Sequence, residues 1–361
     1  MRLRLIGLLL GLIGLLGGCA GVEPIRGQLH YGMADAPEGQ SLMWPAAPEV
    51  PRFLYTGTLT GQPNFRSDAP ERSALARLGR LLAGLDEQSS APLVLQRPSA
   101  VVGDDAGRLF VSDASRQAVF VFDERAGELL LWERAEALLR FVAPAGLAVA
   151  PGRLYVADAD LGAVFVLDAQ GQPLGVIGRG RLQRPTGLAR DARRGRLYVA
   201  DTGAHDIKVF DEQGTLLQVI GQRGELPGQF NFPTHLGWAQ DELYVTDTLN
   251  NRIQVFDGAG EAIVAEPLRL LGSRGLLLGN LVRPKGVAVD GEGNVYVIES
   301  YYDSLLVFSR QGEFLMPIGG TGKATGRFYL PAGVWVDARN RVHVADMFNG
   351  RVVLFQFLGG G

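Results

Sequence analysis

The sequence predicts an all-β fold, a six-bladed β-propeller of four-stranded antiparallel blades, on three observations. First, one short strand-like element ending in an acid recurs six times: Leu109–Asp113, Leu154–Asp158, Leu197–Asp201, Leu243–Asp247, Val295–Glu299 and Val342–Asp346, with the acids 45, 43, 46, 52 and 47 residues apart. Second, each acid is preceded by Pro (Pro98, Pro144, Pro185, Pro233, Pro284, Pro331) and followed by another β-rich run, such as Val119–Asp123 or Ile253–Asp257. Third, these runs are apolar at nearly every position, so both faces of each sheet must be covered. Radial stacking of blades achieves that. A single unit cannot bury its own faces, so the units close on one another. The 49 glycines among 361 residues supply the many turns.

The chain begins with Arg2 and Arg4, then an apolar run from Leu5 to Leu16 that is short for a membrane-spanning helix. Leu16-Gly17-Gly18-Cys19 resembles the lipobox of bacterial lipoprotein signal peptides. The resemblance implies that residues 1–18 are a leader, that cleavage falls before Cys19, and that Cys19 is acylated. Ala20 and Gly21 follow, with no Asp to signal inner-membrane retention, which implies an outer-membrane anchor facing the periplasm. The alternative is a plain secretory leader with an incidental Cys. Cys19 is the only cysteine, so an intramolecular disulfide is excluded. Without the leader, 33 basic residues stand against 38 acidic ones. A mildly acidic exported chain with no basic run is a poor match to nucleic acid.

Residues 19–50 mix Gly, Pro, Ala and Glu without period, which predicts an extended tether ahead of a propeller domain over 51–361. Residues 52–59 read as a strand. Ala74, Leu75, Leu78, Leu81, Leu82 and Leu85 fall three and four apart, which predicts one accessory helix over 69–85. The repeats occupy 97–357. The sixth unit ends after its third strand, so 52–59 is expected to supply the outer strand of the last blade and join the two ends of the chain.

Pro227-Gly228-Gln229-Phe230-Asn231-Phe232-Pro233, with Leu243–Asp247 and Asn250–Asp257 after it, resembles the NHL repeat, and Gly326–Gly333 repeats its opening. The likeness covers 97–357 and is weakest in blade one, where Leu129–Ala137 lacks the terminal Ile-Gly. It implies the six-bladed propeller. It says little about activity, since propellers host many. A copper- and zinc-associated peptide amidating lyase is among NHL-type enzymes, and it would need a set of metal-binding His that this chain lacks.

Six equivalent strand-end acids argue for a structural role, accepting N–H groups of the adjacent turns. His343 replaces a Tyr or Phe of the other blades and reads as packing. His235 differs. Four blades open their first strand with Pro-x-Gly, as in Pro185-Thr186-Gly187, whereas blade four has Pro233-Thr234-His235 and so places a side chain at the channel. His205, in the loop after a second strand, is expected at the same mouth, where the two could bind an anion, metal or peptide. Arg184, Arg283, Lys285, Asn250, Tyr301, Tyr302 and Asn349 complete the candidate ligand-binding set. Arg and exposed aromatics are the residue types of binding hot spots. There is no phosphate loop, nucleophile elbow or haem motif. The expectation is an anchored envelope scaffold without a cofactor or catalytic residues, binding a protein, peptide or glycan. The alternative is a metal-dependent propeller lyase or lactonase-like hydrolase centred on His235.

Overall fold

The computed structural model describes residues 24–32, 42–66 and 91–359, and six antiparallel sheets surround one central channel. The leader, Cys19 and the helix expected at 69–85 lie outside the described residues. Blade one runs outward from Pro98–Gly103 through Arg108–Asp113 and Ala118–Asp123 to Glu128–Trp132. Blades two to five repeat this order with inner strands Pro144–Ala150, Pro185–Asp191, Pro233–Ala239 and Pro284–Val289. Blade six has Val334–Val336, Arg341–Asp346 and Arg351–Phe357, and its fourth strand is Phe53–Leu59. Leu59 faces Val352 and Phe53 faces Phe357, so the expected closure by the N-terminal strand is present. Helix is confined, among the described residues, to three single turns, Gln62–Asn64, Thr248–Asn250 and Met347–Asn349.

The continuous apolar runs have the predicted cause. Leu154, Tyr155, Val156 and Ala157 are all buried, alternately against the blade before and the blade after. Tyr155, Tyr198, Tyr244 and Tyr296 occupy equivalent fully buried places. Blade six puts His343 there. The ring is fully buried 4.9 Å from the Trp335 ring, and neither nitrogen has a hydrogen-bond partner among the described residues. Burial pushes its pKa down to about 4, so it is a neutral packing group, as expected.

The strand-end acids fasten each blade to the segment that enters it. Asp158 accepts from the N–H groups of Val142 and Ala143 and from Leu161 in the next turn. Asp113, Asp201, Asp247, Glu299 and Asp346 do the same work at equivalent places. All six are fully buried, and their hydrogen bonds compensate the lost hydration.

The described parts of the segment expected to be a tether, 19–50, form short edge strands. Ile25–Arg26 pairs with Glu128–Leu129 on the outer edge of blade one, and Gln28–Leu29 pairs with Phe65–Arg66. Met43–Trp44 pairs with Phe53–Leu54 outside the closing strand. Ile25, Leu29 and Tyr31 pack on one core cluster, Leu42 and Trp44 on another. Apolar residues too sparse to show a period still gain by covering exposed strand edges.

Strand polarity defines two ends of the ring. Pro98 faces Asp113 and Pro144 faces Asp158, so the loops entering each inner strand and the loops leaving each second strand share one end. We call this the entry face and the opposite end the far face.

Candidate functional site at the entry face

The inner strands of all six blades line a cavity of about 250 Å³. Its narrow end, at the entry face, is set by glycine. A Cβ on Gly187 would stand 2.6 Å from the Thr234 carbonyl oxygen, and one on Gly286 2.6 Å from the Val334 nitrogen. Neighbouring inner strands therefore approach backbone to backbone here. Hydroxyls on or just after the second strand of one blade hold the inner strand of the next: Ser112 donates to the Ala145 carbonyl at 2.5 Å, Thr202 to Pro233 at 2.6 Å and Thr246 to Lys285 at 2.6 Å. The mouth is a rigid collar.

His235 interrupts this collar. Blade four slips register between Pro233 and Leu236, and the imidazole stands on the channel wall with Nδ1 3.0 Å from the Thr234 hydroxyl. Thr234 Oγ1 also lies 2.7 Å from the Thr248 hydroxyl, which donates to the Pro284 carbonyl. Burial first, and the Lys285 ammonium second, push the His235 pKa down to about 3. The ring is neutral at ordinary pH, with one nitrogen held by Thr234 and the other free to donate or accept in the channel.

Lys285 sits one residue before Gly286 on the next blade, half-buried at the same mouth. Its own pKa is lowered by burial and by the nearby Arg283. Among the described residues, no carboxylate forms an ion pair with Lys285 or Arg283. The structure thus joins three of the sequence-predicted residues, His235, Lys285 and Arg283, around one entrance.

The remaining candidates have other partners. His205 is buried, accepts from the Phe232 N–H at 3.2 Å and packs 4.3 Å from the Phe232 ring. His235 lines the cavity and His205 is not among its lining residues. Arg184 pairs with Asp160 at 2.7 Å on the exposed rim. Asn250 donates to Asp247 and to the Gly224 carbonyl, and Asn349 to Asp346 and the Gly322 carbonyl; both brace loops. Tyr301 and Tyr302 meet edge to face at 5.0 Å and remain exposed.

A metal is not supported by the donors. No Asp or Glu lines the cavity. Among the described residues, no group of three or more His, Cys, Asp or Glu is placed to hold an ion. His235 alone does not make such a site.

The two ends of the ring differ in charge. The entry-face loops (91–97, 114–117, 133–143, 159–162, 178–184, 202–205, 221–232, 248–251, 272–283, 300–303, 320–330 and 347–350) hold twelve Arg or Lys and five Asp or Glu. The far-face loops (104–107, 124–127, 151–152, 169–172, 192–195, 212–215, 240–241, 258–268, 290–294, 309–313 and 337–340) hold five and eleven. Single-sequence reading missed this polarity, because the sign of a face emerges only once loops are sorted by strand direction.

Fold and site together define a propeller with a narrow cationic mouth. The chain belongs to the SMP-30/gluconolactonase/LRE-like family, whose model matches residues 98–325. Among solved structures it is similar to a gluconolactonase from Xanthomonas campestris, at 19% identity over 74% of this chain and 90% of that one, TM-score 0.57. It is also similar to virginiamycin B lyase from Staphylococcus aureus, at 12% identity over 73% and 96%, TM-score 0.52. An auxiliary nutrient binding protein from Bacteroides thetaiotaomicron aligns at 12% identity over 74% and 70%, TM-score 0.56. At these identities the likeness shows the fold. No curated relative matches the chain in sequence.

Proposed function

We propose that this protein is an envelope binding protein, anchored through Cys19, whose propeller captures an anionic group at the entry-face mouth of the channel. The carrying observation is the half-buried Lys285 ammonium, which has Arg283 beside it and, among the described residues, no carboxylate paired with it. A cation withdrawn from water without a counter-ion is costly, and a bound carboxylate, phosphate or sulfate would supply that counter-ion. His235 and its threonine partners add uncharged hydrogen-bonding groups to the same entrance. The excess of basic loops on this face would steer anions toward it.

Titration calorimetry with inorganic phosphate and with gluconate tests the reading. Saturable binding is expected, weakened about tenfold or more in Lys285→Met, as loss of a charge-assisted hydrogen bond implies. Binding that is absent in the unmodified protein, or equal in Lys285→Met, overturns it.

Family membership favours a second reading, hydrolysis of a lactone at the same mouth. It would proceed without a metal held by cavity residues, and His235 is its one imidazole. Gluconolactone turnover that resists chelators and is lost in His235→Ala would replace the binding reading with this one.

A further inference from the structure

The entry face carries a second feature that anion capture leaves unused. Leu276, Leu277 and Leu278 stand in a row at the tip of the loop 272–283, with 77%, 78% and 69% of their surfaces exposed. Three adjacent apolar side chains directed to water are not needed to form that loop. Asn280 N–H donates to the Leu277 carbonyl and Leu281 N–H to the Ser273 carbonyl, while Leu281, fully buried, roots the loop in the core. Leu226, Leu249 and Tyr301 are exposed on neighbouring loops of the same face. On the far face the large exposed apolar residues among those described are Val50, Val264, Leu268 and Leu358, none adjacent in sequence. Arg223, Arg274 and Arg283 flank the leucines, and no ion pair holds them among the described residues.

We infer that the entry face around blades four and five seats on an anionic lipid bilayer. The three leucines enter the acyl boundary while the flanking arginines meet phosphates. One further observation selects a bilayer over a protein partner: apolar tips beside basic groups, on a face whose loops carry an excess of Arg and Lys, match the surface of an anionic membrane. A convex leucine tip also enters a fluid bilayer without needing a complementary pocket.

Vesicle flotation of the full chain tests this with the anchor removed. The Cys19→Ser protein is expected to float with vesicles containing phosphatidylglycerol and much less with phosphatidylcholine alone. Leu276→Ser/Leu277→Ser/Leu278→Ser in that background should reduce flotation about tenfold or more. As a check independent of stability, Leu277→Trp should show a blue-shifted emission on adding the anionic vesicles. Failure of the Cys19→Ser protein to float, equal flotation of the triple variant, or an unshifted tryptophan overturns the inference. So does self-association through the leucines that leaves no vesicle-bound fraction. The mass of the Cys19 peptide from the unmodified protein reports acylation separately. An unacylated Cys19 sinks the anchor without changing what the vesicles show.

Discussion

The entry and far faces are built from the same repeats and use charge in opposite ways. On the far face, Arg and acid neutralise one another. Glu242 receives hydrogen bonds from Arg269, Arg310 and the Tyr244 hydroxyl, and Asp241 joins Arg193 to Arg194. Asp104 pairs with Arg108, Asp337 with Arg341 and Arg190 with Glu212. The Arg310–Glu242 contact and those of Asp241 join adjacent blades, and the others brace single blades. On the entry face, backbone N–H groups satisfy much of the buried acids' demand, with Lys208, Arg252 and Arg351 pairing three of them, and among the described residues Lys285, Arg283, Arg274 and Arg223 have no ion pair. The far face uses its arginines within the ring; the entry face keeps several cations without an ion pair among the described residues, which is what the proposed anion capture would use.

Glu242→Ala should give the largest stability loss of any single charge change, about 3 kcal/mol in urea unfolding, since it strands two guanidinium groups and a buried hydroxyl. A loss no greater than that of an exposed pair would break the contrast between faces. Burial pushes the Glu242 pKa up, but hydrogen bonds from Arg269, Tyr244 and Arg310 together outweigh it and bring the pKa down to about 2. Its contribution is therefore complete above the ordinary glutamate pKa and is lost as pH falls through about 2.

His343 predicts a second acid effect of similar or smaller size. Its folded-state pKa lies below the unfolded one, so its contribution is complete above about pH 6.5 and declines as pH falls toward about 4, by about 2–3 kcal/mol. His343→Phe, which copies Phe110 at the equivalent place in blade one, should flatten that part of the pH–stability curve. An unchanged curve would place the acid sensitivity elsewhere.

Lys285→Met should behave in the opposite sense to Glu242→Ala. Stability is expected to stay within about 1 kcal/mol or rise, because the substitution removes a desolvated charge that has no ion pair among the described residues, while the proposed anion binding weakens. A clear drop in melting temperature would show that Lys285 serves the fold. The smallest effect belongs to Arg184→Ala on the exposed rim, below about 1 kcal/mol in the same assay.

The fold was legible because each repeat carries its own punctuation. Pro, strand, acid and strand recur in order, and the missing fourth strand of the last unit leaves Phe53–Leu59 one place to go. His235 was legible for the same reason, as the residue that breaks Pro-x-Gly. Asn250 and Asn349 entered the candidate set although a signal against them was present. Asp247-Thr248-Leu249-Asn250-Asn251-Arg252 and Asp346-Met347-Phe348-Asn349-Gly350-Arg351 share their spacing, and in both the Asn and Arg serve the Asp. A pattern repeated between blades marks scaffold. His205 has a left-handed backbone, φ 60°, and its ring is packed against Phe232, which a reading of single residues could not show. The edge strands at 25–29 and 43–44 left no trace in sequence, since two-residue pairings have no period to read.

The closing strand also sets a schedule. Leu59 is made early and its partner Val352 comes 293 residues later. At about 5–20 residues per second of synthesis, the N-terminal strand waits on the order of 15–60 s for the segment that completes its sheet. Throughout that interval the ring is an open arc with two raw edges, so the chain stays vulnerable to chaperone capture, proteolysis and mispairing until the segment around Val352 arrives.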